Sequence, residues 1–139
     1  MRSLSQEDYE NLLAFRISLR RFQNWSQAQA RAVGLTPAQH QLLLAIKGHR
    51  GKEGPAIGDL AGYLMLRPHS TVELVDRATA AGLVDRWSDS DDGRITRVRL
   101  TQAGEQALDR LSAAHLDELR RLVPILDQLV AHAAMPAEG

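Results

Sequence analysis

Apolar residues recur along this chain at helical spacing in five stretches and at alternating spacing in one. In the first stretch Leu12, Phe15, Leu19 and Phe22 form one stripe and Leu13 and Ile17 a second, which predicts a helix over residues 5–33. Ser5 is its cap, Glu7 and Asp8 suit the first turn, and Gly34 ends it. Thr36, Pro37 and Gln39 make the next start: a cap, a first-position proline and a capping-box glutamine. Leu42, Leu43 and Ile46 line that helix, which ends near His49; Gly51, Gly54 and Pro55 then break the chain into a loop. Ile57, Leu60, Ala61 and Leu64 give a short helix that Gly58 and Gly62 weaken. Residues 65–67 turn into a further helix beginning at or just after Pro68, where a fixed φ and a missing N–H cost nothing. Thr71, Leu74, Val75 and Ala78 form its inner face; Ser70, Glu73, Asp76 and Arg77 point outward, with His69 and Val72 at the edges.

The alternating stretch follows Gly82. Leu83 to Trp87 is one strand, residues 88–93 form a polar tip, and Thr96, Val98 and Leu100 share one face of a returning strand whose other face carries Arg97 and Arg99. The tip is too polar for a core, so it is expected to project. Thr101 caps a last helix in which Leu108, Leu111, His115, Leu119, Leu122, Leu126 and Leu129 recur at three and four, flanked by Leu116, Val123 and Val130. Pro124 should kink or split that helix. Residues 1–4 and those from about 134 onward are expected to be frayed or disordered.

The pattern is mainly α with a small β-hairpin wing. A short helix with a small polar outer face beside a protruding hairpin bearing Arg94 is a winged helix-turn-helix. Such a helix can enter the major groove of DNA, and the wing arginine can reach the minor groove or a phosphate. The two end helices carry more apolar surface than one small winged lobe needs. The two helices could simply pack on each other within one chain; an isologous dimer built from both ends would also explain the excess, and would place two recognition helices for a two-fold pseudo-palindrome.

Two motifs carry a family resemblance. Asp92-Gly93-Arg94 followed by Leu100-Thr101 has the form of a D-x-R wing signature, and Val75-Asp76-Arg77 before Gly82-Leu83-Val84-Asp85-Arg86 has the form of a recognition-helix ending. From about Leu12 to about Leu129 the chain resembles the MarR family of transcriptional regulators. The resemblance implies a single domain over residues 1–139, with a winged lobe at 35–101 and N- and C-terminal helices at 5–33 and 102–133 forming a dimerisation region. It implies a homodimeric regulator of a double-stranded DNA operator, most often a ligand-responsive repressor in the cytoplasm. For DNA it points first to Arg94, with Asp92 and Gly93 supporting the wing, then to Ser70 and Arg77, with His69, Val72, Arg67, Thr36 and Arg97 as further candidates. Plainer roles stand beside these: Arg94 as a solvated arginine paired with Asp92, Thr36 and Gln39 as caps. Glu73 departs from the family pattern, in which a basic or small residue is common; a glutamate repels phosphate but can accept from cytosine N4. Relatives often bind small aromatic or phenolic anions between the dimer helices and the DNA-reading lobe, and Trp25, His40, Arg16 and Arg20 are the candidates for such an effector cleft.

Composition narrows the alternatives. With 17 basic and 17 acidic residues in 139, the chain is neutral, unlike a non-specific nucleic-acid coat. Arg86, Arg94, Arg97 and Arg99 cluster around the hairpin, but Asp85, Asp89, Asp91 and Asp92 lie among them. There is no cysteine, so no disulfide, thiolate metal site or thiol peroxide switch can be built. His40, His49, His69, His115 and His132 include no H-x-x-x-H pair; His115 with Glu118 reads as a helix-surface pair, and no metal or cofactor is expected. Residues 89–93 imitate a calcium loop, but the glycine comes a position early and no glutamate closes it. No nucleophile-elbow, P-loop or dinucleotide-binding motif occurs, so an enzyme is not expected. No membrane-spanning stretch or export signal is evident. The rival class is a winged-helix protein-interaction module without DNA, since fold does not fix function.

Overall fold

The computed structural model describes residues 3–134, with side chains through residue 131. The order is α1 (Gln6–Ala32), α2 (Pro37–Gly48), α3 (Ile57–Leu64), α4 (Pro68–Ala80), β1 (Val84–Ser88), β2 (Thr96–Leu100) and α5 (Gln102–Ala134). The chain forms two compact units. One is Ala30–Leu111; the other joins the residues up to Gln29 with those from Ser112 onward. The winged unit is thus wider than the 35–101 lobe read from the sequence, because Ala30, Leu108 and Leu111 belong to its core.

In the winged unit, the start signals of α2 act as expected. Thr36 Oγ1 accepts from the Gln39 amide, and Gln39 Oε1 accepts from the Thr36 amide, both at 3.1 Å. Asp59 Oδ2 accepts from the Ala56 amide at 2.9 Å and opens α3. Between α3 and α4, Met65 adopts a left-handed backbone (φ 54°) and leaves its side chain 93% exposed. The inner face of α4 is the expected one: Thr71, Val75 and Ala78 are fully buried, and Thr71 Oγ1 satisfies itself on the Arg67 carbonyl at 3.0 Å. Val75 and Ala78 join Leu42, Leu43, Leu60, Val84 and Val98 in one core.

The hairpin is antiparallel, in register from Val84↔Leu100 to Ser88↔Thr96. The loop before α3 adds a partial third edge: the Val98 amide donates to the Pro55 carbonyl at 3.0 Å, and Ala56 bridges Arg97. Thr101 then closes the unit, its amide donating to Leu83 O and its Oγ1 both donating to Gly82 O and accepting from the Gly104 amide.

In the helical unit, Ser5 and Asp8 cap α1 reciprocally, at 2.8 and 3.2 Å. Phe22 and Trp25 of α1 surround the ring of His115 in α5, with centroids 6.0 and 4.8 Å away, and Ser26 Oγ lies 2.7 Å from His115 Nε2. This corrects the surface-pair reading of His115: the ring is half-buried against α1, and Glu118 pairs instead with Arg121. Pro124 does not split the last helix, which runs unbroken from Gln102 to Ala134. A proline removes one N–H from the ladder while the bonds on either side persist, so a long helix can continue through it. Leu12, Leu13, Leu116, Leu119, Val123 and Val130 of this unit remain 41–60% exposed. The expected disorder at the chain ends falls largely outside the described residues, as does the side chain of His132.

Candidate nucleic-acid interface

The outward face of α4 presents Ser70, Val72, Glu73, Asp76 and Arg77, all exposed. Its two carboxylates have different surroundings. Asp76 accepts from Arg86 Nη1 of β1. Glu73 Oε1 lies 3.2 Å from His69 Nε2, one turn back on the same helix. Arg67 is exposed at the N-cap, where its backbone rather than its side chain does the capping. Thr36 is exposed but committed to capping α2.

At the wing tip, Arg94 is 91% exposed and doubly bonded to Asp92: Nε donates to Oδ1 at 3.0 Å and Nη2 to Oδ2 at 3.2 Å. The Arg94 amide also donates to Asp92 Oδ1. This bidentate, charge-assisted contact sets the guanidinium's direction without burying it, and it lowers the Asp92 pKa below the ordinary carboxylate value. Gly93 contributes less than expected. Its backbone is not left-handed and an added Cβ would meet nothing, because the turn is closed by the Ile95 amide on the Asp92 carbonyl.

Asp89 does not project with the rest of the tip. It is 8% exposed, and its Oδ1 accepts from the amides of Asp91 and Asp92 in an Asx-type turn. Its Oδ2 accepts from Arg97 Nε at 2.5 Å. Arg97 also lies 3.0 Å from Glu53 and donates Nη1 to the Gly54 carbonyl at 2.9 Å. The Arg97 bond, with help from the two amides, pulls the Asp89 pKa from 3.8 to about 2. Arg97 therefore turns inward as a clasp between the wing and the loop before α3, and not outward beside Arg99, whose guanidinium sits over the Trp87 ring at 5.2 Å. Asp89, Glu53 and Gly54 are the site-supporting residues that sequence reasoning missed. The aspartate had a local signal, since an Asp followed by two polar turn residues favours an Asx turn. Glu53 and Gly54 had none, being 44 and 43 positions before Arg97.

The effector candidates divide between the units. Arg16 and Arg20 are exposed on α1 and Trp25 packs against His115. His40 is buried in α2 of the winged unit, at 7% exposure. Among the described residues no group of three or more His, Asp or Glu stands close enough to hold a metal ion, and no helix is long and apolar enough to cross a membrane.

A helix pair joined by a tight turn, followed by an antiparallel hairpin whose tip holds out one arginine, defines a winged helix-turn-helix protein. Residues 33–95 match the MarR family, the family that the two sequence motifs resemble. The chain is 33% identical over 64 residues to the uncharacterized HTH-type transcriptional regulator YsmB of Bacillus subtilis, a match covering 46% of this chain and 44% of YsmB. It thus spans under half the length of that relative. The fold extends further. AbsC, a MarR family transcriptional regulator from Streptomyces coelicolor, superposes with a TM-score of 0.74 at 21% identity, over 91% of this chain and 84% of AbsC. The transcriptional repressor CouR, solved bound to a 23-mer DNA duplex, superposes with a TM-score of 0.69 at 24% identity, over 96% of this chain and all of CouR.

Proposed function

We propose that this chain is a sequence-specific double-stranded DNA-binding transcriptional regulator, a ligand-responsive repressor that acts in the cytoplasm as a homodimer on a pseudo-palindromic operator. The observation that carries the reading is the wing tip. Arg94 is 91% exposed yet held in one direction by two bonds to Asp92, in the same unit as an α4 face with Ser70, Arg77 and Val72 outward. In a duplex, α4 would enter the major groove and Arg94 the flanking minor groove, whose narrow A·T-rich form attracts a guanidinium. The fold shared with DNA-bound CouR supports this arrangement.

Dimerisation is supported by the apolar residues of the helical unit that one chain leaves exposed, among them Leu12, Leu13 and Val130 at 57–60%, a face of the kind that marks an interface. Small aromatic carboxylates are the effector class proposed, with Trp25, Arg16, Arg20 and His40 as the residues to test. An effector that binds one spacing of the two recognition helices better than another would shift the population away from the DNA-competent form.

The deciding experiment is affinity for operator-length and random duplexes across a salt series. The DNA reading expects affinity to fall steeply with salt, with a slope set by the phosphates contacted. The protein-interaction reading draws on Leu44, Tyr63 and Met65, exposed apolar residues of the winged unit, and expects no duplex binding at any salt. A thermal-shift panel of aromatic carboxylates tests the effector part; a flat panel would remove it.

A further inference from the structure

Given α4 as the DNA-reading helix, as proposed above, its outward face has a charge of the wrong sign. Phosphates line the major groove on both sides, so a carboxylate entering it is repelled unless it gains something specific. Asp76 is neutralised within the protein by Arg86. Glu73 has no arginine or lysine partner among the described residues: its Oε1 lies 3.2 Å from His69 Nε2, and the two side chains are 86% and 57% exposed for His69 and Glu73 respectively. Glu73 also lies in the first half of a helix that begins at Pro68, the part of a recognition helix that reaches base edges.

A carboxylate only accepts hydrogen bonds. Guanine shows two acceptors in the major groove, thymine an acceptor and a methyl group, and adenine a donor beside an acceptor. Cytosine alone offers its N4 donor with no acceptor beside it on the same base. We infer that Glu73 is a specificity-determining residue that selects a C·G pair in each half-site, its Oε2 accepting from cytosine N4 while His69 holds Oε1. His69 is a positioning residue in this arrangement: it occupies one oxygen and limits the rotamers of a side chain that would otherwise be loose.

Selection of duplexes from a randomised pool by the full chain tests this. Wild-type protein should fix a cytosine at one position of each half-site. Glu73→Gln, an exposed change that leaves the fold intact, should fix adenine there, because glutamine bonds adenine N6 and N7 together. Replacing the selected cytosine by N4-methylcytosine, which keeps the base pair but puts a methyl group where the groove-facing hydrogen stood, should weaken wild-type binding roughly tenfold or more and leave binding to random duplex unchanged. His69→Ala should reduce the preference for C·G over other pairs at that position, and His69→Gln, which keeps a donor, should restore part of it. If Glu73→Gln still selects cytosine, or the methylated site binds as tightly, the inference fails while the DNA-binding reading stands. An unchanged preference in His69→Ala removes the positioning role. No enrichment of any duplex overturns both readings together.

Discussion

Arg97 donates Nε to Asp89 Oδ2 at 2.5 Å, and this pair fixes the guanidinium that ties the wing to the loop before α3. Both side chains are largely covered, at 19% and 6% exposure for Arg97 and Asp89 respectively. The same guanidinium holds the Gly54 carbonyl, and the same carboxylate gathers the amides of Asp91 and Asp92. One ion pair thus organises the tip that carries Arg94 and the loop that precedes α3. A charge pair with this many hydrogen bonds satisfies the carboxylate's lone pairs as well as its charge, which is what an ion pair withdrawn from water requires.

Acid should open this clasp. The Asp89 pKa is lowered from 3.8 to about 2, and Asp92 is shifted the same way by Arg94. A carboxyl whose pKa is lower folded than unfolded stabilises the folded form above the unfolded value, and that contribution is lost as pH falls through the folded value. The wing is expected to be intact at about pH 5 and to loosen between about pH 4 and 2. Trp87, opposite Arg97 in the hairpin, reports this by fluorescence in a Trp25→Phe background. Asp89→Asn should already be loosened at neutral pH and lack most of the acid step. A step of full size in that variant would assign it to other carboxyls.

The fold was largely legible because its signals are local. The spacing of Thr71, Leu74, Val75 and Ala78 named the buried face of α4, and Thr36 with Gln39 fixed the start of α2. Period-two alternation put Val98 inside. What the pattern missed depends on partners distant in sequence. Asp89 is polar and sits among polar neighbours, and only Arg97 and the tip amides make its burial affordable. His115 looked like a surface residue because its Ser26 partner is 89 positions away. Pro124 leaves α5 in one piece because the helix is long on both sides of it, so the local rule that a proline splits a helix does not decide here. The aim of Arg94 through Asp92 was readable, since the two stand two positions apart in the same turn.

Two glycines should respond in opposite directions to alanine. A Cβ on Gly104 would stand 2.2 Å from the Leu83 carbonyl oxygen, and that carbonyl is held by the Thr101 amide, so neither side can yield cheaply. Gly104→Ala should destabilise by roughly 1–3 kcal/mol, the usual cost of overpacking. Gly62 lies inside α3 and an added Cβ would meet nothing within 4 Å. Gly62→Ala should stabilise by roughly 0.5–1 kcal/mol through helix propensity. Urea denaturation of both variants measures this. Equal behaviour of the two would mean that the close approach at Gly104 relaxes freely.

Charges placed on the exposed apolar face of the helical unit should produce monomers. Leu12 is 60% exposed and Val130 58%, so glutamate at either position meets water in a lone chain and costs its fold little. Within a dimer interface the same carboxylate would be buried without a partner, at several kcal/mol by the usual scale for an ion withdrawn from water. Sedimentation at micromolar concentration should give about twice the chain mass for wild type and one chain mass for Leu12→Glu combined with Val130→Glu. A variant that stays dimeric and folded would move the interface off this face.

Arg94→Ala should separate the wing's part in DNA binding from its part in the fold. The side chain is 91% exposed and its bonds go only to Asp92 within the same turn. The turn itself is closed by the Ile95 amide on Asp92 and the Asp89 amide on Ile95, and the clasp through Asp89 and Arg97 does not involve Arg94. Stability should therefore change little, since an exposed ion pair contributes little, and oligomeric state should be unchanged. Operator affinity should fall by roughly 1–3 kcal/mol, the scale of one good groove contact. Two modes of contact predict different patterns of loss. A guanidinium in a narrow minor groove is favoured by the enhanced potential of A·T-rich sequence, so its removal should cost most on operators with an A·T-rich flank. A guanidinium on a phosphate carries no sequence information, so its removal should cost about the same on every duplex and lower the salt slope by about one. Asp92→Asn tests the aim. It leaves Arg94 charged but removes the carboxylate that directs it, so binding to random duplex should hold while operator preference narrows. Titrations of the three proteins on operator and random DNA at several salt concentrations distinguish these outcomes. If Arg94→Ala binds every duplex as wild type does while remaining folded, the wing has no part in DNA recognition.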